Sequence, residues 1–466
     1  MEKYKYLLKN VLLFGISNFV PKILVFLMVP LYTNVLTTAE YGTVDLLQTT
    51  LSLTIPIVTI NITEGVLRYS VSKYHDSKSV LFYGIKYITI GTAVVTGVGI
   101  ILGCLNVIPW GYIICFILLL LGNNGYTLLT NFLRGIDKMN AIVIGSILNT
   151  AIMVGCNILF LLYFSWGMYG YLLAQIFALI IATIFLFIAG GVYKYITTYK
   201  KDNIVEREMV VYSKPLILNS ISWWINNASA RYIIVFFCGT AVNGIYSVAY
   251  KIPTILSMCQ SIFIQAWQLS AIKESDSAES QYFYKKIYGA YNGLLLVACS
   301  GIIMLTKVLA NFLYAKEFYV AWKYVPLLLI GTLFTAVSSY IASIFNAKDD
   351  TKLVGRTTTV GAVINIIISL CLVPFWGAMG AGIANAISCF VVWLARISSL
   401  KKKYKINLFS TKLNIMYILI LFQGIIMILE TPYAFYINGI VVLIVCLAFH
   451  NMILEFIRKI LKKVKR

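Results

Sequence analysis

Apolar segments long enough to cross a bilayer recur along this whole chain, and that recurrence constrains its fold more than any other feature. Some 20 apolar residues span the hydrocarbon core. About fourteen such segments can be read, at 10–34, 43–66, 80–104, 108–133, 140–164, 168–191, 214–238, 243–270, 284–306, 322–346, 354–374, 377–399, 413–430 and 434–456. In lipid every backbone polar group must be satisfied within the protein, so the segments are expected to be helices. The expected class is an all-α membrane protein. Composition agrees: 60% of the 466 residues are hydrophobic and 12% charged, against about 45–50% apolar residues in a soluble domain.

The formal net charge of +21 would suggest nucleic acid in a soluble chain. Here it follows the loops. Loops after even-numbered segments are basic, as are both termini, and the sixth alone holds Lys194, Lys200, Lys201, Arg207 and Lys214. Lys307, Lys316 and Lys323 stand on the other side, in one longer loop, while Lys22, Lys86, Arg231 and Lys251 fall inside apolar segments. The positive-inside rule then places both termini in the cytoplasm. The opening MEKYKYLLKN resembles the charged region of a signal peptide. The apolar run behind it exceeds the usual ~7–15 residues, so a retained first helix is expected.

The chain repeats itself. WGMYGYLLA at Trp166 returns as WGAMGAGIA at Trp376, IGSILN at Ile144 as VGAVIN at Val360, and EYGTVD at Glu40 more weakly as VNGIYS at Val242. Residues 1–191 are therefore expected to form one six-helix lobe and 214–400 a second, with 192–213 a cytoplasmic linker. Residues 401–466 would add two helices and a basic tail. Six is even, so both copies cross the membrane in the same direction and are related by an axis along its normal. Within the linker, IVEREMVVY fits a short interfacial helix.

Polar residues inside apolar segments are expensive and mark function by default. In the first segment Pro21 removes a backbone donor, and Lys22 shares a helix face with Asn18. In the second, Asn61, Glu64 and Arg68 follow helical spacing. In the seventh Trp224, Asn227 and Arg231 do so, and in the eighth Ser247, Lys251 and Thr254, with Pro253 supplying a kink. At ~1.5 Å per residue, Arg231 and Lys251 lie at similar depth and Lys22 near mid-membrane. If Lys22, Arg231 and Lys251 face one cavity between the lobes, the natural ligand is a multivalent anion such as a diphosphate. Asp45, near the outer mouth, is a candidate ion-coupling site. Plainer readings stand beside these: snorkelling for Lys22, Arg231, Lys251 and above all Lys86, and a structural ion pair for Glu64 with Arg68.

Other chemistries find little support. The nine cysteines contain no CxxC pair, and two histidines are too few for a histidine-rich metal centre. The glycines after Trp166 and Trp376 lack the strand–loop–helix setting of a phosphate loop and read as close helix packing. No cofactor is expected. A membrane enzyme would require intramembrane acid–base pairs or a large external domain.

The motifs VPLYTNVLTTAEYG (29–42), RYIIVFFCGTAVNGIYSVAYKIP (231–253), FIQAWQLSA (263–271) and GAVINIIISLCLVPFWGAMGAGIANAIS (361–388) carry a resemblance. In order and spacing they resemble polysaccharide repeat-unit flippases of the Wzx type. These form the polysaccharide biosynthesis protein family within the multidrug and oligosaccharidyl-lipid exporter superfamily. The resemblance implies two six-helix lobes in a V, and no enzyme activity. It also implies undecaprenyl-diphosphate-linked oligosaccharide as substrate, moved from the inner to the outer leaflet of a bacterial cytoplasmic membrane, with a polysaccharide polymerase and chain-length machinery as partners. One departure is Ala230, where the family often has an acid before the arginine. Lipid II or multidrug export on the same scaffold is the alternative, although a cationic cavity would repel cationic drugs.

Overall fold

The computed structural model describes residues 21–71, 75–196, 202–273, 280–348 and 350–450. Among them every regular element is helical and no strand is present. By contacts the chain divides into two compact units, residues 1–225 and 226–466.

The first unit opens with α1 (Pro21–Val35). A capping box then starts α2 (Thr38–Val58): the Thr37 hydroxyl accepts from the Glu40 amide, and the Glu40 carboxylate accepts from the Thr37 amide at 2.9 Å, satisfying two orphan donors at once. Pro56 deletes a donor near the end of α2. Ile60 and Asn61 then take left-handed backbone (φ 55° and 54°). The chain resumes as α3 (Ile62–Val71), bent 59° from α2. The expected segment 43–66 is thus broken, and Asn61 is out of helical register with Glu64 and Arg68. The single face drawn through all three does not exist.

There follow α4 (Ser77–Cys104), α5 (Trp110–Gly135), α6 (Met139–Asn157) with a π-helical extension (Ile158–Tyr163), α7 (Gly167–Ala189) and the short α8 (Tyr193–Ile196). Ile62, Val66, Leu81, Leu128, Phe132 and Leu186 pack as a core across α3, α4, α5 and α7. Where α4 passes the end of α2, a Cβ on Gly91 would meet the Val58 carbonyl oxygen at 2.2 Å, so only glycine admits that approach.

The next helix, α9 (Asn203–Ala249), is interrupted at Gly239 (φ 86°, ψ 172°). Straight, 19 residues of helix would separate Arg231 from Tyr250 by about 28 Å, yet the Arg231 guanidinium lies 5.6 Å from the Tyr250 ring centre. The chain therefore turns back at Gly239. The start of α9 belongs to the first unit: Val205 and Met209 join its core. The stretch expected as an interfacial helix is helical, but it is docked on protein.

In the second unit a turn at Tyr250–Ile252 leads into α10 (Pro253–Lys273), with the proline in the first turn as expected of a residue lacking its N–H. Then come α11 (Ser280–Met304), α12 (Thr306–Leu313), a 3-10 turn (Lys316–Lys323), α13 (Val325–Ala347), α14 (Thr351–Tyr404), α15 (Thr411–Ile428) and α16 (Ala434–Ala448). As one rod α14 would be about 81 Å long. It is kinked at Gly377 (φ 54°, ψ −135°), and Lys403 at its end meets Asp350 before its start at 2.6 Å. Two antiparallel helices thus share the name, and Gly377 separates the expected segments 354–374 and 377–399. Gly167, at the matching position of the other WG motif, has φ 53°, so the sequence repeat is also a backbone repeat.

The core of this unit surrounds α13, which packs on α10, α11, α14 and α15. Trp267 stacks on Tyr340 at 4.3 Å and Phe263 on Tyr291 at 4.1 Å. The buried Tyr284 and Tyr340 hydroxyls donate to the Ala271 and Tyr284 carbonyls, each at 2.9 Å, which removes the cost of burying them. Among the described residues nine helices are long and apolar enough to cross a membrane, or ten if α2 and α3 form one span. This is a multi-pass helical membrane protein.

Candidate functional site

In the first unit Lys22 projects from α1 as an exposed side chain, and Asp45 on α2 is half-buried. Asn18 lies outside the described residues. Polar groups tie α2 to its neighbours. Gln48 donates to Gln175 of α7 at 3.0 Å, and Trp224 of α9 donates its indole N–H to the Thr49 carbonyl at 2.8 Å. The Asn61 amide, at the break, donates to the Ser220 hydroxyl at 3.1 Å. Trp224 and Asn61 therefore position helices, a role their spacing did not reveal.

Glu64 and Arg68 are both exposed and do not form the ion pair their spacing allows. Arg68 instead lies over the Tyr212 ring at 4.5 Å. Tyr212 also lines a cavity of about 780 Å³ with Tyr69, Arg207 and Glu208. At the same place His75 contacts the Glu208 carboxylate at 3.0 Å. Lys86, expected to snorkel, reaches Glu206 on α9 at 2.7 Å, and the Tyr87 hydroxyl donates to the same oxygen at 3.0 Å. Its partner sits 120 residues away, beyond any local spacing rule.

In the second unit Arg231 is half-buried against the ring of Tyr250, the residue before Lys251. Arg231 thus reaches the turn in which Lys251 stands. Lys251 occupies the turn between α9 and α10, so it is not in continuous helical register with Ser247 and Thr254. The Thr254 hydroxyl donates to the Lys251 carbonyl, and Ser247 is buried. The side chain of Asn227 lies outside the described residues.

Sequence reasoning missed Arg396, which falls inside the segment expected at 377–399. It is 7% exposed. Its guanidinium donates to the hydroxyls of Thr357 (3.0 Å), Ser338 (2.9 Å) and Thr358 (2.8 Å), and to the Ser338 and Val354 carbonyls. The threonine run 357–359 facing a lone arginine across a helical hairpin was the available signal. Among the described residues no cluster of histidine, cysteine or carboxylate side chains could hold a metal ion.

The chain is 26% identical over 208 residues to the probable low-salt glycan biosynthesis flippase Agl15 of Haloferax volcanii, a match covering 43% of each chain. The chain thus spans less than half the length of that relative. Its fold is similar to that of the lipid II flippase MurJ in an inward closed conformation (TM-score 0.67, 14% identity), over 95% of this chain and 100% of that one. It is also similar to an inward-facing multidrug resistance MATE family transporter of the MOP superfamily (TM-score 0.65, 13% identity, 84% of this chain and 99% of that one). The model of the family described as polysaccharide biosynthesis protein matches residues 7–268, more than half of the chain, which therefore belongs to the polysaccharide biosynthesis protein family.

Proposed function

We propose that this protein is a flippase for lipid-linked glycans. Its substrate is an undecaprenyl-diphosphate-linked oligosaccharide repeat unit, carried from the inner to the outer leaflet of a bacterial cytoplasmic membrane for O-antigen, capsule or exopolysaccharide synthesis. The observation that carries this reading is the family match over residues 7–268, supported by the flippase and exporter folds.

In this reading Lys22, Arg231 and Lys251 hold the diphosphate while the sugars occupy water and the lipid tail stays in the bilayer. Asn18, Asn227, Glu64 and Arg68 contribute polar contacts, and Asp45 couples an ion. The six-helix lobes, residues 1–191 and 214–400, alternate access to the two leaflets, with both termini in the cytoplasm. A polymerase and chain-length machinery receive the product. Low-dielectric surroundings make each ammonium–phosphate contact worth about 4 kcal/mol at 4 Å and an effective dielectric of 20, enough to offset insertion costs of roughly 2.5–3.5 kcal/mol per cation.

Replacing Lys22, Arg231 and Lys251 together by alanine should abolish surface glycan while leaving membrane insertion intact. Full glycan display by that triple variant would end the charge-clamp idea. The fold likeness to a lipid II flippase keeps lipid II as a second reading, because its diphosphate offers the same chemistry.

A further inference from the structure

The loop that breaks the charge pattern, carrying Lys307, Lys316 and Lys323, joins α11 to α13. It lies at the Val325 end of α13, about 35 Å along that helix from Lys348 and Asp350. On α12, Thr306, Ala310 and Leu313 are buried against the unit, while Val308 and Phe312 are 61% and 64% exposed. An eight-residue helix with one apolar face in protein and another outside it suits the boundary between acyl chains and headgroups.

Lys307 and Lys323 converge beside this face. Both ammonium groups lie 3.9 Å from the same Glu430 oxygen, beyond hydrogen-bonding distance. They stand 4.5 and 5.8 Å from the Trp322 ring centre. Trp322 is itself buried, so it is a fixed platform. One carboxylate facing two ammonium groups leaves one positive charge uncompensated, and N–H donors that Glu430 does not engage. Glu430 is in the left-handed region (φ 51°) in the turn between α15 and α16, which sets its carboxylate from a separate element.

We propose that Lys307, Lys323 and Trp322 form a site for a lipid-borne phosphate at the membrane interface. The phosphate takes the free ammonium donors, and its acyl or prenyl chain runs along Val308 and Phe312. The site uses neither Lys22, Arg231 nor Lys251, so its failure would leave the transport reading standing.

Native mass spectrometry of the full-length protein in detergent tests it, titrating phosphatidylglycerol, undecaprenyl phosphate and, as control, phosphatidylcholine. The parent should prefer the anionic lipids. The double variant K307Q/K323Q should bind them about twenty-five-fold more weakly, at roughly fivefold per lysine, and E430Q should bind them more tightly because a competing anion is gone. A preference for undecaprenyl phosphate would assign the site to the carrier lipid, and a preference for phosphatidylglycerol to bulk headgroups. Either supports the proposal. Equal anionic-lipid binding by parent and double variant, or weaker binding by E430Q, would overturn it. E430Q retains both lysines and Trp322, so it remains informative even if the double variant fails to fold.

Discussion

Arg396 is held without a carboxylate. Burying a guanidinium costs several kcal/mol unless its donors are used, and here hydroxyls and carbonyls on α13 and α14 use them. Arg396→Ala would remove the donor shared by three hydroxyls and two carbonyls, and should destabilise the protein by about 3 kcal/mol in detergent unfolding. Arg396→Lys, retaining the charge but losing the planar fork, should recover only part of that. Lys86 behaves similarly at lower stakes. Glu206→Gln removes the charge that both Lys86 and Tyr87 address, and a loss of about 1–2 kcal/mol is expected by the same measurement. These residues explain why the site was only partly legible in the sequence. Helical spacing reveals which residues share a face on one helix. Partners supplied by a helix more than a hundred residues away, as Glu206 is for Lys86, leave no local signature.

At the scale of elements, hydropathy located the helices well, because apolar length is what a bilayer selects. Breaks were harder to see. Pro253 announced its turn, whereas Gly167 and Gly377, read from the sequence as close helix packing, share a left-handed backbone. The Ile60–Asn61 break was hidden, since neither residue type demands positive φ and tertiary contact with Ser220 holds it. At Gly377, φ 54° with ψ −135° is open essentially to glycine alone. Gly377→Ala should therefore cost about 1–3 kcal/mol, read as a lower midpoint for loss of monodisperse protein on heating. The two ends of the same hairpin meet through Asp350, whose carboxyl is held below its ordinary range by the hydrogen bond from Lys403, with help from Tyr404. A depressed folded-state value means the stabilisation is complete above the unfolded carboxyl range, about pH 4. It is lost as pH falls through the folded value. Asp350→Asn should thus be less stable than the parent at neutral pH, and the gap should close only below about pH 4.

For the whole molecule, the recurrence of long apolar segments made the multi-pass helical class readable before any coordinates. Membership of the polysaccharide biosynthesis protein family rests on the match over residues 7–268. Under the proposed function, glycan choice would depend on sugar contacts, and aromatic side chains are too numerous in a chain with 32 Tyr, 26 Phe and 8 Trp for sequence to single any out. The substrate can be read directly in cells. Deleting the gene and analysing lipid-linked intermediates by leaflet should show an undecaprenyl-diphosphate oligosaccharide accumulating on the cytoplasmic side, with surface polysaccharide lost and both effects reversed by the parent gene. An unchanged pool of lipid-linked oligosaccharide, with surface polysaccharide intact, would contradict the flippase assignment.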